Sequence, residues 1–329
     1  MKTKTRWGIL STATINRQLI PAIKGHRDSD LVAIASRSVD KAEAAAKQWK
    51  IPKFYGSYQA LLDDPDIDII YNPLPNHLHC EWTIKAAQAG KHVLVEKPIA
   101  LSAAEVDEMI SVAEKYKVII QEAFMYRFNP QTDKVAQLVS SGAVGKIRYL
   151  RSSFQHFHHR EGDFRQLPEA GGGALWDLGC YPISYFQLLT KTSPMNGFGT
   201  GIIASTGVDN TFFGTLNYPD DITAHFSCSF DLPAYAMLEV HGTEGIMTIA
   251  SPYKPRDRTL VILRQGNGYQ SFSFSTKDVA MGEVENMVQA SRGNQPVRVS
   301  LLESKEIVKT IMLLQRSANL INVVSMDQE

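Results

Sequence analysis

Two hydrophobic periods take turns along the first third of the chain. Short, nearly continuous apolar runs, RWGIL (6–10), DLVAIAS (30–36), DIDIIYN (66–72), KHVLVEK (91–97) and VIIQEA (118–123), have the length and composition of buried strands. Between them lie segments with apolar residues at helical spacing: INRQLIPAIKG (15–25), VDKAEAAAKQW (39–49), NHLHCEWTIKAAQAG (76–90) and SAAEVDEMISVAEKYK (102–117). Gly25 and Gly90 close the first and third of these. Ser102, with Glu105 three residues on, predicts a capping box at the start of the fourth. Strands and helices in alternation, with continuous apolar strands, predict a parallel, doubly wound sheet.

The pattern changes after residue 123. A helix is expected over 129–142, followed by strand-like runs near 146–155, 198–206, 211–218, 222–230, 235–241 and 246–250. A helical segment near 178–190 interrupts them, and two more, near 279–292 and 301–323, close the chain. SPYKPRDRT (251–259) reads as a solvated loop. The expected fold class is α/β. Residues 1–123 form a dinucleotide-binding Rossmann domain with a doubly wound parallel sheet. Residues 124–329 are expected to form an α+β domain on a large, mainly antiparallel open sheet, to which the family resemblance given below adds substrate binding and oligomerisation.

Length and composition agree with two cores. A chain of 329 residues exceeds one ordinary domain, and 44% apolar with 21% charged residues exclude disorder. Lys plus Arg and Asp plus Glu both number 34, and this balance argues against a general nucleic-acid binder and against attraction to an anionic membrane. No stretch approaches the roughly 18 apolar residues of a membrane span. The apolar run in MKTKTRWGIL is too short for a secretory signal. Cys80, Cys180 and Cys228 lie far apart and supply neither a disulfide framework nor a C-x-x-C metal pattern, so a cytoplasmic location is expected.

The turn after the first strand is where a dinucleotide-binding protein carries G-x-G-x-x-G. Here it reads Ser11-Thr12-Ala13-Thr14-Ile15-Asn16, with no glycine. Ala13 is small enough for close approach, Ser11 can turn and offer a hydroxyl, and Thr12 and Thr14 add two more. A helix beginning near Ile15 presents free N–H groups and a positive dipole end to phosphate. Taken alone, the loop fits a plain strand–turn–helix equally well. The end of the second strand adds information. Ser36-Arg37-Ser38, with Lys41 beyond, stands where an NAD protein places a carboxylate for the ribose 2′-hydroxyl. Arg37 can pair with a 2′-phosphate and stack on adenine, so NADP(H) is expected over NAD(H).

In HFHH (156–159), His156 and His158 would share one face of a strand and His159 the other, but no Cys or carboxylate pattern completes a zinc set, and no metal is expected. No Ser-His-Asp or phosphate-transfer signature appears. Lys97 follows a buried strand and carries an ammonium able to stabilise charge on a carbonyl oxygen. Asp177 and Tyr181 would share a helix face at four-residue spacing. Pro182 fits best in a first helical turn, which would place Asp177 near a cap instead.

Five stretches, in order and spanning essentially the whole chain, resemble the Gfo/Idh/MocA family of NAD(P)-dependent oxidoreductases. They are WGIL with its loop, LPNHLH (74–79), AGKHVLVEKP (89–98), EAFMYRFNPQ (122–131) and GGGALWDLGCYPIS (171–184). The wording is most similar to the branch of dihydrodiol and sugar (xylose) dehydrogenases, which typically keeps a glycine where this chain has Ser11. The resemblance implies hydride transfer between NADP(H) and a carbonyl or hydroxyl group of a sugar-like, polyol or dihydrodiol substrate. It implies a cis Lys97–Pro98 bond, with Lys97 at the substrate oxygen and Tyr181, Asp177 or both handling the proton. The family often has His where Tyr181 stands. Leu74, Pro75, Asn76 and His79 are implied cofactor contacts, and Glu96 a neighbour of the nicotinamide ribose. Arg127 and Arg165 would hold cofactor or substrate, or else form interdomain ion pairs. Trp176 would stack on sugar or nicotinamide, or else pack in the core. A homodimer or homotetramer through the C-terminal sheet is implied. The alternative is a non-catalytic nucleotide-sensing or interaction protein on the same fold, suggested by the substituted loop.

Overall fold

The computed structural model describes residues 4–158, 162–254, 258–275, 279–320 and 322–326. His159 of the HFHH motif and residues 255–257 lie outside them. The chain divides into two compact units, one of residues 1–125 and 278–304, the other of residues 126–277 and 305–329.

In the first unit, the described residues form a six-stranded sheet: β1 (Thr5–Leu10), β2 (Ser29–Ala35), β3 (Lys53–Tyr55), β4 (Ile69–Asn72), β5 (His92–Glu96) and β6 (Ile120–Ala123). Their order is β3-β2-β1-β4-β5-β6, and every pairing is parallel. The order reverses between β1 and β4, so ligands are expected beyond the carboxyl ends of these strands. The crossovers carry α1 (Asn16–Gly25), α2 (Val39–Trp49), α3 (Tyr58–Leu62), α4 (His79–Gln88) and α5 (Ala103–Tyr116). The capping box forms: Ser102 Oγ accepts from the Glu105 N–H, and the Glu105 carboxylate accepts from the Ser102 N–H, both at 3.2 Å. The strand expected from residue 66 begins only at Ile69. Asp66 and Asp68 are taken up by Arg6, whose Nη1 and backbone N–H donate to them at 2.9 and 2.8 Å.

In the second unit, α6 (Pro130–Ser140) and α7 (Cys180–Thr190) accompany nine described strands. These are β7 (Ile147–Gln155), β8 (Asn196–Ile203), β9 (Asp209–Tyr218), β10 (Ile222–Ser229), β11 (Tyr235–Gly242), β12 (Ile246–Ala250), β13 (Arg258–Gln265), β14 (Gly268–Ser275) and β15 (Val324–Ser325). The order is β14-β13-β12-β11-β7-β10-β9-β8-β15, antiparallel except where β10 runs beside β7. The hairpin β13–β14 was not expected. β14 leaves most of its residues exposed and has no buried apolar alternation to read.

Two helices close the described chain, α8 (Val279–Ser291) and α9 (Leu301–Leu320). Here the single body expected for 124–329 is corrected. Val284, Met287 and Val288 of α8 join the core of the first unit, against Leu19, Ile20 and Ile23 of α1. Among the described residues, no helix is long and apolar enough to cross a membrane.

Candidate functional site

The turn from β1 to α1 keeps its shape without glycine. Ser11 sits at φ 80°, in the left-handed region that favours glycine. Its N–H donates to Ala35 O at 2.9 Å, and Asn16 Nδ2 donates to Ser11 O at 3.0 Å, which tie the turn to β2 and α1. The N–H groups of Asn16, Arg17 and Gln18 turn back onto the carbonyls of Ala13, Thr14 and Ile15. Among the described residues, no acceptor takes the N–H groups of Thr12, Ala13, Thr14 or Ile15. Ser11 Oγ is buried and has no partner there either. Open N–H groups at the start of a helix, with an orphaned hydroxyl beside them, fit a pyrophosphate.

This geometry makes a prediction. Ser11→Gly relieves left-handed strain of about 1 kcal/mol, partly offset by the greater freedom of glycine in the unfolded chain. The Tm of the nucleotide-free protein should rise slightly. If the hydroxyl binds phosphate, NADPH should bind several-fold more weakly, because a neutral hydrogen bond contributes about 1 kcal/mol. Thermal melts and a fluorescence titration check the two parts separately. Unchanged affinity would deny the hydroxyl that role.

At the end of β2, Ser36 is buried and its Oγ accepts from the Ser38 N–H at 3.3 Å. Ser38 caps α2 by accepting from the Lys41 N–H at 3.4 Å, which leaves the Lys41 side chain exposed. Arg37 is exposed, with its guanidinium beside the Tyr58 hydroxyl. Burial pushes the Tyr58 phenol up, and Arg37 works against that shift. Among the described residues no carboxylate pairs with Arg37, so this edge of the sheet presents a cation where a carboxylate would bind a ribose 2′-hydroxyl.

Beyond β4 and β5 the turns are tied from below. Asn72 Nδ2 donates to His79 O at 3.2 Å and to Thr83 Oγ1 at 3.1 Å, and its Oδ1 accepts from the Leu74 N–H at 3.4 Å. Leu74 and Asn76 are buried, and Pro75 is half-buried. His79 has no exposed surface. Its Nδ1 lies 2.7 Å from Pro98 O and its Nε2 2.7 Å from Leu74 O, so the ring clamps the turn after β4 to the turn after β5. Two carbonyls could take two N–H groups, but burial pushes the imidazole down to about 4, and a neutral ring donates to one of them. Expected as a cofactor contact, His79 is placed to hold the loops that would make such contacts.

Glu96 ends β5 and accepts from Tyr71 OH at 2.6 Å. Lys97 follows, 8% exposed, and the Lys97–Pro98 bond is cis. Glu122 on β6, a residue the sequence reading passed over, accepts from the Ile99 N–H at 2.9 Å.

The second unit gathers a separate set. Leu175 N–H donates to Asp209 Oδ2 at 2.7 Å, and a Cβ on Gly173 (φ +106°) would strike the same carboxylate. Burial pushes Asp209 up to about 7. A π-helical turn, Leu175–Gly179, then leads into α7. It precedes Pro182, whose missing N–H and ring exclude a regular helical bond. Asp177 and Tyr181 lie on this continuous path, 5% and 6% exposed. Asp177 is therefore part of the helical path and not its cap. Its Oδ2 accepts from Arg165 Nε at 3.0 Å. Arg165 also donates from its backbone N–H and Nη1 to Asp163 Oδ1 at 3.0 and 3.2 Å, and Asp163 Oδ2 lies 3.0 Å from His158 Nε2. Burial works to lower the Arg165 pKa, but the Asp177 and Asp163 carboxylates outweigh it. The ion pairs of Arg165 thus lie within one unit, where an interdomain pair had been one of the expectations. Tyr181 meets Phe154 edge-on with ring centroids 5.1 Å apart, and Lys254 Nζ lies 5.7 Å from the Tyr181 ring. Trp176 and Arg127 are both buried in this unit. β7 ends at Gln155, so His156 and His158 follow the strand, not lie in it. No group of metal-binding side chains occurs among the described residues.

Sequence reasoning missed Asn72, Glu122 and Asp209, all of which bind backbone N–H groups or carbonyls near the candidate residues. The available signal was a polar residue ending or interrupting a buried apolar run.

A six-stranded parallel sheet with open N–H groups in the turn after its first strand is the frame of a dinucleotide-binding α/β protein. Residues 5–124 match the NAD-binding Rossmann domain of the Gfo/Idh/MocA oxidoreductases, and residues 132–248 match a C-terminal domain of the same group. The chain belongs to the Gfo/Idh/MocA family, as its motifs led us to expect. It is 36% identical to D-xylose 1-dehydrogenase (NADP(+)) 2 of Haloferax volcanii, over 98% of this chain and 99% of that one. It is 34% identical to trans-1,2-dihydrobenzene-1,2-diol dehydrogenase of Xenopus tropicalis, over 75% of this chain and 76% of that one. KijD10, a 3-ketoreductase from Actinomadura kijaniata solved with NADP and TDP-benzene, matches with a TM-score of 0.90 at 26% identity, covering 96% of this chain and 98% of its own.

Proposed function

We propose that this oxidoreductase uses NADP(H) in preference to NAD(H) and acts on a CH–OH or carbonyl carbon of a sugar-like, polyol or dihydrodiol substrate. The observation that carries the reading is the open N–H cradle of Thr12–Ile15, with Arg37 in place of a carboxylate after β2. The relative from Haloferax volcanii, whose name gives both NADP(+) and a sugar, supports it. Ser11 to Ile15 hold the pyrophosphate, Ser36, Arg37 and Lys41 the 2′-phosphate, and Leu74, Pro75, Asn76 and Glu96 the nicotinamide half. When bound, the nicotinamide gives or takes the hydride.

The chain's own residues manage charge and proton. In the reducing direction the substrate oxygen becomes anionic, and the Lys97 ammonium stabilises it. The Tyr181 hydroxyl delivers the proton. Asp177, whose Oδ2 accepts from Arg165 Nε at 3.0 Å, serves to orient its neighbours. In the oxidising direction each transfer reverses. We further assign the exposed apolar residues of the second unit's sheet, Phe213 and Tyr235 among them, to a homodimer or homotetramer contact that light scattering can test. The three buried free thiols suit a reducing cytoplasm.

The deciding experiment is a fluorescence titration with NADPH and, separately, NADH. NADPH should bind tighter. Arg37→Ala should weaken NADPH about tenfold or more, because charge-assisted bonds contribute about 1.5–3 kcal/mol, and should weaken NADH far less, by the lost adenine stacking alone. Equal binding of both nucleotides would remove Arg37 from its role. Binding of neither would overturn the whole reading.

A further inference from the structure

Glu122 is a carboxyl where the fold would accept an apolar residue. It lies in the buried run of β6, 1% exposed, paired in register with Val95 of β5. Burying an ionisable group is unfavourable unless it is paired, hydrogen-bonded or neutralised. Its Oε1 accepts from the N–H of Ile99, two residues past Lys97, at 2.9 Å. Its Oε2 is also buried, with the Ser304 hydroxyl as its nearest hydrogen-bonding group. Glu303 and Ser304, at the start of α9, face it from one side, and Lys97 acts on it from another. Lys97 is also buried, and it acts on His79 of α4 as well. A buried carboxyl and a buried ammonium thus share one corner of the first unit. The carboxyl grips the backbone of the turn that presents the ammonium. Pro98 has no N–H of its own, so Ile99 offers the first donor after the lysine.

We propose that Glu122 is a positioning residue for Lys97: it fixes the turn that carries the lysine and couples the lysine's proton to its own. The inference rests on the role assigned to Lys97 above. Burial pushes Glu122 up to about 8, while Lys97 pulls it down. Below that pH the carboxyl is neutral and serves as an acceptor for Ile99. As it ionises, its negative charge holds the proton on Lys97 more firmly, because coupled groups shift each other in equal measure.

Glu122→Gln tests this, since the amide keeps the oxygen that Ile99 needs and loses only the ionisation. In the pH profile of kcat/KM, the alkaline limb should move to lower pH by half a unit or more, with NADPH affinity unchanged. An unmoved limb would overturn the coupling. The nucleotide-free protein gives a second readout. A carboxyl raised in the folded state stabilises fully below its unfolded value near 4.5 and loses that contribution as pH rises through about 8. The Tm of Glu122→Gln relative to the unmodified protein should therefore climb between pH 5 and pH 8.5. A constant difference would count against the proposal. Should Glu122→Gln fail to fold, carbon-13 NMR of glutamate carboxyls in Lys97→Met replaces it. The carboxyl that titrates near 8 should move to higher pH once the ammonium is gone, and no movement overturns the coupling. This shift is read without turnover. If Lys97→Met keeps its activity, the catalytic reading of Lys97 fails while the coupling can still be seen.

Discussion

Lys97→Met should lower kcat by roughly a hundredfold to a thousandfold, the range seen when one preorganised donor to a developing oxyanion is removed. NADPH affinity should change by less than about threefold, because the phosphate cradle we propose, Ser11 to Ile15 with Arg37, lies on other turns. Methionine is the informative replacement. The lysine is 8% exposed, so most of its stem is packed, and an unbranched apolar chain fills that space without a cavity. Alanine would mix loss of charge with loss of packing. Arginine would add a planar group to a buried site and cannot replace a compact ammonium. The melt of Lys97→Met separates the two effects: turnover lost with the Tm retained assigns the loss to charge. Steady-state kinetics with an aldose or dihydrodiol substrate identified by screening checks the result. Wild-type turnover would remove Lys97 from the chemistry.

The cradle and the lysine were visible in the sequence to different depths. The apolar runs that became β1, β2, β5 and β6 are long and continuous, and the helices between them carry caps and a clear period. Their order therefore followed from pattern alone. β3 and α3 span three and five residues, too short for any period to show. α8 reads as a helix, but periodicity says nothing about which core receives its apolar face. Val284 and Met287 pack on α1, far away in sequence.

The site residues divide in the same way. Lys97, Asp177 and Tyr181 were found through motif order, and Arg37 through the chemistry of a strand end. What the motifs could not show is how neighbours use each group. For His79, an implied cofactor contact, the motif does not tell that both ring nitrogens lie against backbone carbonyls. Arg165 was expected to hold cofactor or substrate or to form an interdomain ion pair, and its ion pairs with Asp163 and Asp177 lie within one unit. Ser11 stands where the related branch keeps a glycine, but a serine by itself does not mark the left-handed turn that the structure places there. Side-chain partners of this kind depend on loops meeting at 3 Å, which no local pattern encodes.

Tyr181→Phe and Asp177→Asn should separate the proton donor from its support. Tyr181→Phe removes a single oxygen. The ring keeps its place edge-on to Phe154 and beside Tyr253, so the melt should stay within a degree or two, as about 0.5 kcal/mol would allow in a unit of this size. If the phenol is the general acid, kcat should still fall roughly a hundredfold to ten-thousandfold, with KM little changed. Asp177→Asn should behave differently. The Arg165 side chain is about three-quarters buried and loses one of its two carboxylate partners. Breaking a buried ion pair from one side costs about 3 kcal/mol, discounted here because Asp163 remains. The Tm should fall by several degrees along with kcat. A Tyr181→Phe protein with full activity, beside an inactive but well-folded Asp177→Asn protein, would transfer the proton to the carboxylate and show that its pairing with Arg165 does not keep it ionised through the catalytic cycle.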